Sequence, residues 1–104
     1  MSEVSTSVEG RVVMITGAGQ GIGRTYAKHF AEKGAIPVIA EINGDKGDAV
    51  AAEIEAAGGQ AMAVQTDVTS PDSVGAAVAA ILERFGRIDC LINNAAVFSK
   101  ITIA

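Results

Sequence analysis

Thr16-Gly-Ala-Gly-Gln-Gly-Ile-Gly23 is the stretch that decides how this chain folds. An apolar run, Arg11-Val-Val-Met-Ile15, precedes it and a helical pattern follows. That order predicts a strand, a tight glycine-rich turn and a helix start. A helix start carries backbone N–H groups without intrahelical acceptors and the positive end of the helix dipole. Glycines there let a ligand approach the backbone with no Cβ in the way. Together these make a cradle for a diphosphate. The dipole contributes only about 0.3–1 kcal/mol, up to about 2 when partly buried, so direct N–H···O bonds must supply most of the grip. The spacing is selective. Read as G-x-G-x-x-G it fails, because the sixth position is Ile22 or Arg24. Read as T-G-x-x-x-G-x-G it fits with Thr16, Gly17, Gly21 and Gly23. A glycine-rich turn can also do no more than join a strand to a helix, so the surroundings must decide.

Working outward, the run from Arg11 to Thr16 reads as a first strand, apolar on both faces like a covered parallel strand. The helix after the glycines extends to about Lys33, with Ile22, Tyr26 and Phe30 as its buried stripe and Gly34 beyond its end. His29 lies off that stripe and faces solvent. Ala35 to Ile42 is a second strand, in which Pro37 is acceptable only near the entry. Gly44 to Ala57 is a second helix, with Val50, Ile54 and Ala57 inward, stopped by Gly58-Gly59. Gln60 to Thr66 is a third strand. Ser70-Pro71-Asp72 combines a cap, a proline at the first helical position and an acid in the first turn. Val74, Val78, Ile81, Leu82 and Phe85 give that third helix a wide apolar face, and Gly86 ends it. Ile88 to Ile92 is a fourth strand, with Cys90 as a small core residue rather than a nucleophile. Strands alternating with helices and joined by right-handed crossovers predict an α/β fold: a Rossmann-type parallel sheet, ordered 3-2-1-4, with helices on both faces, cut off after the fourth strand. Residues 1–9 read as a flexible leader, 10–97 as the domain and 98–104 as a tail.

Ligands of such sheets bind beyond the carboxyl ends of the strands. Glu41 ends the second strand, twenty residues after Gly21. A carboxylate there can accept bonds from both hydroxyls of an adenosine ribose and repel a 2′-phosphate. A unit-charge pair at 4 Å costs on the order of 1–4 kcal/mol near a surface. Gln20 and Ile42 flank the position and neither is basic, so nothing offsets the repulsion and NAD is expected over NADP. Asp67-Val68 ends the third strand. Its carboxylate can accept from an adenine amino group and its Val68 N–H can meet a ring nitrogen; the competing reading is a turn aspartate that caps its own loop. Asn93 and Asn94 end the fourth strand, where two amides can fix neighbouring backbone and line a cofactor floor. Ala95-Ala96 keeps side chains short where a ribose must pass.

Composition narrows the classes. The 104 residues suffice for one domain or part of one. With 49% hydrophobic and 19% charged residues the chain is globular rather than disordered. A net charge of −4 argues against nucleic acid and anionic membrane as partners. One cysteine excludes an internal disulfide and suits a reducing cytoplasm.

Taken together, the T-G-x-x-x-G-x-G turn, the acidic end of the second strand, Asp67-Val68 and Asn93-Asn94-Ala95 resemble the short-chain dehydrogenase/reductase family from Gly10 to about Val97. The resemblance implies that Gly17, Gln20, Gly21, Ile22, Gly23, Glu41, Ile42, Asp67, Val68, Asn94, Ala95 and Ala96 line a nicotinamide dinucleotide. Two positions depart from the family pattern: Glu41 stands where Asp is commoner, and Ala96 where Gly is usual. The implied chemistry is hydride transfer at a carbinol carbon, with a Tyr-x-x-x-Lys pair and a serine further along. That pattern does not occur within the 104 residues. The only tyrosine, Tyr26, precedes Lys28 by two positions, on the opposite face of a helix, and lies on the expected core stripe. Ser99 follows the fourth strand too closely to be the family's serine.

The expectation is therefore the NAD-binding half of an oxidoreductase, with no catalytic residue of its own. Its fourth strand would have an unpaired edge, favouring a homo-oligomer or docking with the remainder of a parent chain. Two alternatives stand beside it: a non-catalytic nucleotide-binding or assembly module, and a methyltransferase-type domain for S-adenosylmethionine, which lacks the diphosphate that the glycines suit.

Overall fold

The computed structural model describes residues 7–94. Its elements alternate as β1 (Val12–Thr16), α1 (Gly21–Glu32), β2 (Ile36–Glu41), α2 (Gly44–Ala56), β3 (Met62–Gln65), α3 (Pro71–Phe85) and β4 (Cys90–Asn93). The four strands form one sheet in the order β3-β2-β1-β4, and every pairing is parallel. The expected architecture and strand order are thus present. Each strand is shorter than the run read from the sequence, and β4 ends one residue later than expected, at Asn93.

β1 is buried along its whole length, which explains why its sequence is continuously apolar rather than alternating. Val13 and Ile15 point to one face, where they pack with Ala27 of α1, Ile39 of β2, and Val50 and Ile54 of α2. Val12 and Met14 point to the other, with Val38, Ala40, and Ala77 and Ile81 of α3. Two helices therefore cover one face and one helix the other. Ile15, Ile39 and Ile81 are wholly buried, each contributing about 1.5–3 kcal/mol of burial.

Pro37 sits second in β2, between two neighbouring strands. The Ile36 N–H donates to the Arg11 carbonyl on the β1 side, so residue 37 turns its backbone groups towards β3. Pairing with β3 begins only at Val38 and Met62. The missing N–H of Pro37 therefore costs no ladder bond.

The buried positions of α1 differ from the expected stripe. Gly23 and Ala27 are buried, Phe30 is partly buried, and Ile22 and Tyr26 are 65% and 43% exposed. The helix lies so close to the sheet that only small residues fit beneath it, and this rotates the larger ones outward. In α2 the inward residues are Gly47, Val50, Ala51 and Ile54; Ala57 lies past the helix end and is exposed. In α3, Ala77 and Ile81 are buried while Leu82 is 45% exposed. Cys90 is exposed rather than in the core, and Leu91 of the same strand is 60% exposed. Both follow from one cause: β4 has no second neighbouring strand among the described residues, so neither of its faces is fully covered.

Asp89 secures the entry to β4. Its Oδ2 accepts the Val12 N–H at 2.8 Å and Arg87 Nε at 2.7 Å. Chiefly that backbone bond, and then the guanidinium, hold its carboxyl below the usual aspartate range.

Candidate nucleotide site at the carboxyl ends of the strands

β1 runs directly into the turn. The Gly17 N–H donates to the Ala40 carbonyl at 2.8 Å, carrying the ladder one residue past the strand. Gly17 and Gly21 then take φ values of 67° and 61°, a region that side-chain-bearing residues rarely adopt. Gly23 is required for a different reason. A Cβ there would lie 2.5 Å from the Gly17 carbonyl oxygen, 2.5 Å from Asn94 Nδ2 and 2.9 Å from Ala18 Cα. The first turn of α1 is thus pressed against the turn that precedes it.

The three helix starts are treated differently. Asn43 caps α2 by accepting the Lys46 N–H, and Ser70 caps α3 by accepting the Ser73 N–H. Both helices also carry an aspartate in the first turn, Asp45 and Asp72. Gln20, at the N-cap of α1, makes no side-chain cap bond, and no acidic residue lies in that first turn. Among the described residues, no side chain caps the N–H groups of Gly21, Ile22 and Gly23. With glycines on the approach, this end can take an external anion.

Polar side chains brace the turn from two sides. On the β4 side, Thr16 Oγ1 donates to Asn93 Oδ1 at 3.0 Å and accepts the Asn94 N–H at 2.9 Å. Asn94 Nδ2 donates to the Gly17 carbonyl at 3.3 Å. Thr16 is only 5% exposed. Its bracing role was not foreseen from the sequence, although a hydroxyl between an apolar strand and the glycines was the available signal.

On the β2 side, Glu41 is turned inward and only 6% exposed. Its Oε1 accepts the Gly19 N–H at 2.8 Å and its Oε2 accepts the Asn43 N–H at 3.2 Å. A Cβ on Gly19 would come within 2.7 Å of that carboxylate, so Gly19 makes room for Glu41. The extra methylene that separates Glu from Asp gives the side chain the reach to fold back onto the turn.

Gln20 lies at the exposed lip. Its Oε1 accepts from Lys46 Nζ at 2.7 Å. Gln20 and Ile42 are not basic, but the fold brings a lysine from the first turn of α2 across to residue 20. Charge at i+3 from an asparagine cap was the sequence signal, but only the packing of α2 beside the turn gives it meaning. Ile22 and Ile42, 65% and 61% exposed, flank the same lip with apolar surface.

Asp67 Oδ1 accepts from the Thr69 N–H at 2.9 Å and from Thr69 Oγ1 at 2.6 Å. The Asp67 N–H donates to Ser73 Oγ at 2.9 Å. Asp67 thus caps its own loop, as the competing reading had it, while Val68 next to it is half-buried. Ala95 and Ala96 lie outside the described residues, as do Ser99 and the expected leader and tail beyond residues 7–94. Tyr26 is exposed, so its expected burial is no reason to set it aside. Lys28, near Glu53 Oε1 at 3.9 Å, still lies two helical positions away from it.

A hollow of about 400 Å³ lined by Glu9, Gly34, Ile36 and Gly59 opens at the amino ends of the strands. It lies at the opposite end of the sheet from the glycine turn.

An open helix start at the crest of a parallel sheet, braced by side chains and approached through glycines, defines a nucleotide-binding α/β domain of the Rossmann type. The family profile described as short chain dehydrogenase matches residues 11–104, and the chain belongs to the short-chain dehydrogenase/reductase family. It is 44% identical over 96 residues to the short chain dehydrogenase/reductase astE of Aspergillus oryzae, covering 91% of this chain and 37% of that protein. Its fold matches a crystal structure of hydroxysteroid dehydrogenase from Escherichia coli with a TM-score of 0.83 at 40% identity, over 86% of this chain and 38% of that one. It also matches 3-ketoacyl-(acyl-carrier-protein) reductase from Brucella melitensis complexed with NADH, with a TM-score of 0.75 at 44% identity, over 82% of this chain and 34% of that one. The chain therefore spans well under half the length of these relatives. Family membership removes the S-adenosylmethionine reading. Among the described residues no helix is long and apolar enough to cross a membrane.

Proposed function

We propose that this chain forms the NAD-binding part of a short-chain oxidoreductase, which as a whole protein passes hydride between NAD and an alcohol or ketone. The observation that carries the proposal is the contrast among helix starts. α2 and α3 satisfy their own first turns, whereas α1 has no capping side chain and no first-turn acid. Gly23 also leaves no space for a Cβ. Such a cradle fits a diphosphate, held by the backbone of Gln20, Gly21, Ile22 and Gly23, with Gly17 lining the turn beside it.

Around it, Glu41 and Ile42 would meet the adenosine ribose, Asp67 and Val68 the adenine, and Asn94 with Ala95 and Ala96 the floor beneath the second ribose. When bound, NAD supplies the hydride acceptor; these residues bind and orient it. Glu41 favours NAD over NADP by repelling a 2′-phosphate. To accept a ribose hydroxyl it must share or exchange the Gly19 or Asn43 N–H that it now holds. One cysteine in the chain agrees with a reducing cytoplasm.

Calorimetric titration of the 104-residue chain with NAD and ADP tests the reading. ADP should bind almost as well as NAD, because on this reading the residues of this chain meet chiefly the adenosine and the diphosphate. A hundredfold advantage for NAD, or no uptake of either nucleotide by a folded sample, would refute it.

A further inference from the structure

We propose that Lys46 is a specificity-determining residue of this site, whose ammonium admits a phosphate on the adenosine ribose and so limits the discrimination that Glu41 imposes. The inference rests on the nucleotide reading above and adds to it a residue outside the glycine turn and the strand ends.

Two opposite charges bracket one lip. Glu41 Oε1 is held by the N–H of residue 19, and Lys46 Nζ is held by the side chain of residue 20. Residues 19 and 20 are consecutive, so the two charged side chains are anchored at neighbouring positions of the turn. Their surroundings differ. Glu41 is buried and already accepts two backbone N–H groups. Lys46 is exposed, and the Gln20 side chain that holds it is a neutral amide with no charge to cancel its own. An anion arriving at the ribose end therefore meets a shielded carboxylate and an available ammonium. The backbone fixes the reach. The Asn43 side chain caps α2 through the Lys46 N–H, which pins the root of the lysine three residues from the Asn43 N–H that binds Glu41. Asp45 and Asp48 lie at i−1 and i+2 from Lys46 on the same helix, on other faces.

The test compares NADP, which carries a phosphate on the adenosine 2′-oxygen, with NAD, which does not, on wild type, Lys46→Met and Lys46→Arg. Lys46→Met should weaken NADP about three- to tenfold relative to NAD. That loss should shrink in high salt, and Lys46→Arg should restore most of it. Equal effects on both ligands, or none on either, would overturn the assignment while leaving the nucleotide site intact. Failure of a folded wild-type sample to bind either ligand would overturn the nucleotide reading itself, and Lys46's role with it.

Discussion

Replacing Gly23 by Ala adds one methyl group where the structure has no volume for it. The new Cβ would sit 2.5 Å from the Gly17 carbonyl oxygen and 2.9 Å from Ala18 Cα, both backbone atoms. Its third neighbour, Asn94 Nδ2 at 2.5 Å, is tied to the same carbonyl, so no flexible side-chain tip can give way. Forced overpacking of this kind costs about 1–3 kcal/mol. Alanine returns about 1 kcal/mol of helix propensity, which leaves a net loss of up to about 2 kcal/mol. For a domain of this size that lowers the melting temperature by up to about 15 °C. Gly75→Ala is the control. Gly75 lies inside α3, is exposed, and a Cβ there would meet nothing within 4 Å. The same chemical change should stabilise the protein by about 0.5–1 kcal/mol. Thermal unfolding followed by far-ultraviolet circular dichroism measures both variants. If Gly23→Ala melts at or above wild type while Gly75→Ala behaves as expected, the close approach of α1 to its turn is not what requires glycine.

Glu41→Ala should cut the ratio of NAD to NADP affinity about three- to tenfold, read by competition titration; an unchanged ratio removes Glu41 from that role. Ser70→Ala should cost about 1 kcal/mol in urea unfolding, because it removes the cap on Ser73 N–H. Gln20→Ala should cost under about 0.5 kcal/mol, since Gln20 makes no side-chain cap bond; equal losses would contradict the capping contrast. Asp89→Asn addresses pH. The Asp89 carboxyl is held low in the folded state, so its contribution is present above about pH 3.9, the unfolded value, and is lost as pH falls through the folded value. Wild type should therefore melt above Asp89→Asn at pH 7, and the gap should close under strong acid. A gap of constant size at both pH values would deny the bond its linkage.

Strand order and helix count were legible because Gly, Pro and cap residues punctuate this sequence at each boundary. Ser70-Pro71-Asp72 announces α3, and the apolar run before Thr16 announces a strand covered on both sides. The orientation of α1 was not legible. Spacing favoured Ile22, Tyr26 and Phe30 as the buried stripe. Yet close packing against the sheet selects Gly23 and Ala27, whose small size gives no hydrophobic signal. Cys90 read as core from its apolar surroundings, but burial in a strand depends on neighbours that the local sequence does not encode. At the site, the positions of Glu41, Asp67 and Asn94 at strand ends could be read directly. Their present partners could not, since Gly19, Thr69 and Gly17 are bound through backbone and loop geometry.

Those partners change where recognition must lie. Glu41 and Asn94 reach inward to hold Gly19 and Gly17, and Asp67 holds Thr69. Each polar side chain that a sequence reading would give to a ligand is committed, in part, to the shape of a turn. An uncapped helix start forgoes about 1 kcal/mol that a serine or asparagine would return, and α1 forgoes it where the bracing is densest. Side chains that shape the turn and a backbone that stays open to it form one arrangement: the first fixes where the second points. On the proposed function, diphosphate affinity should then depend on Gly17, Gly21 and Gly23 more than on any single side chain. Side-chain changes at Glu41 and Lys46 should act mainly on which ribose is accepted.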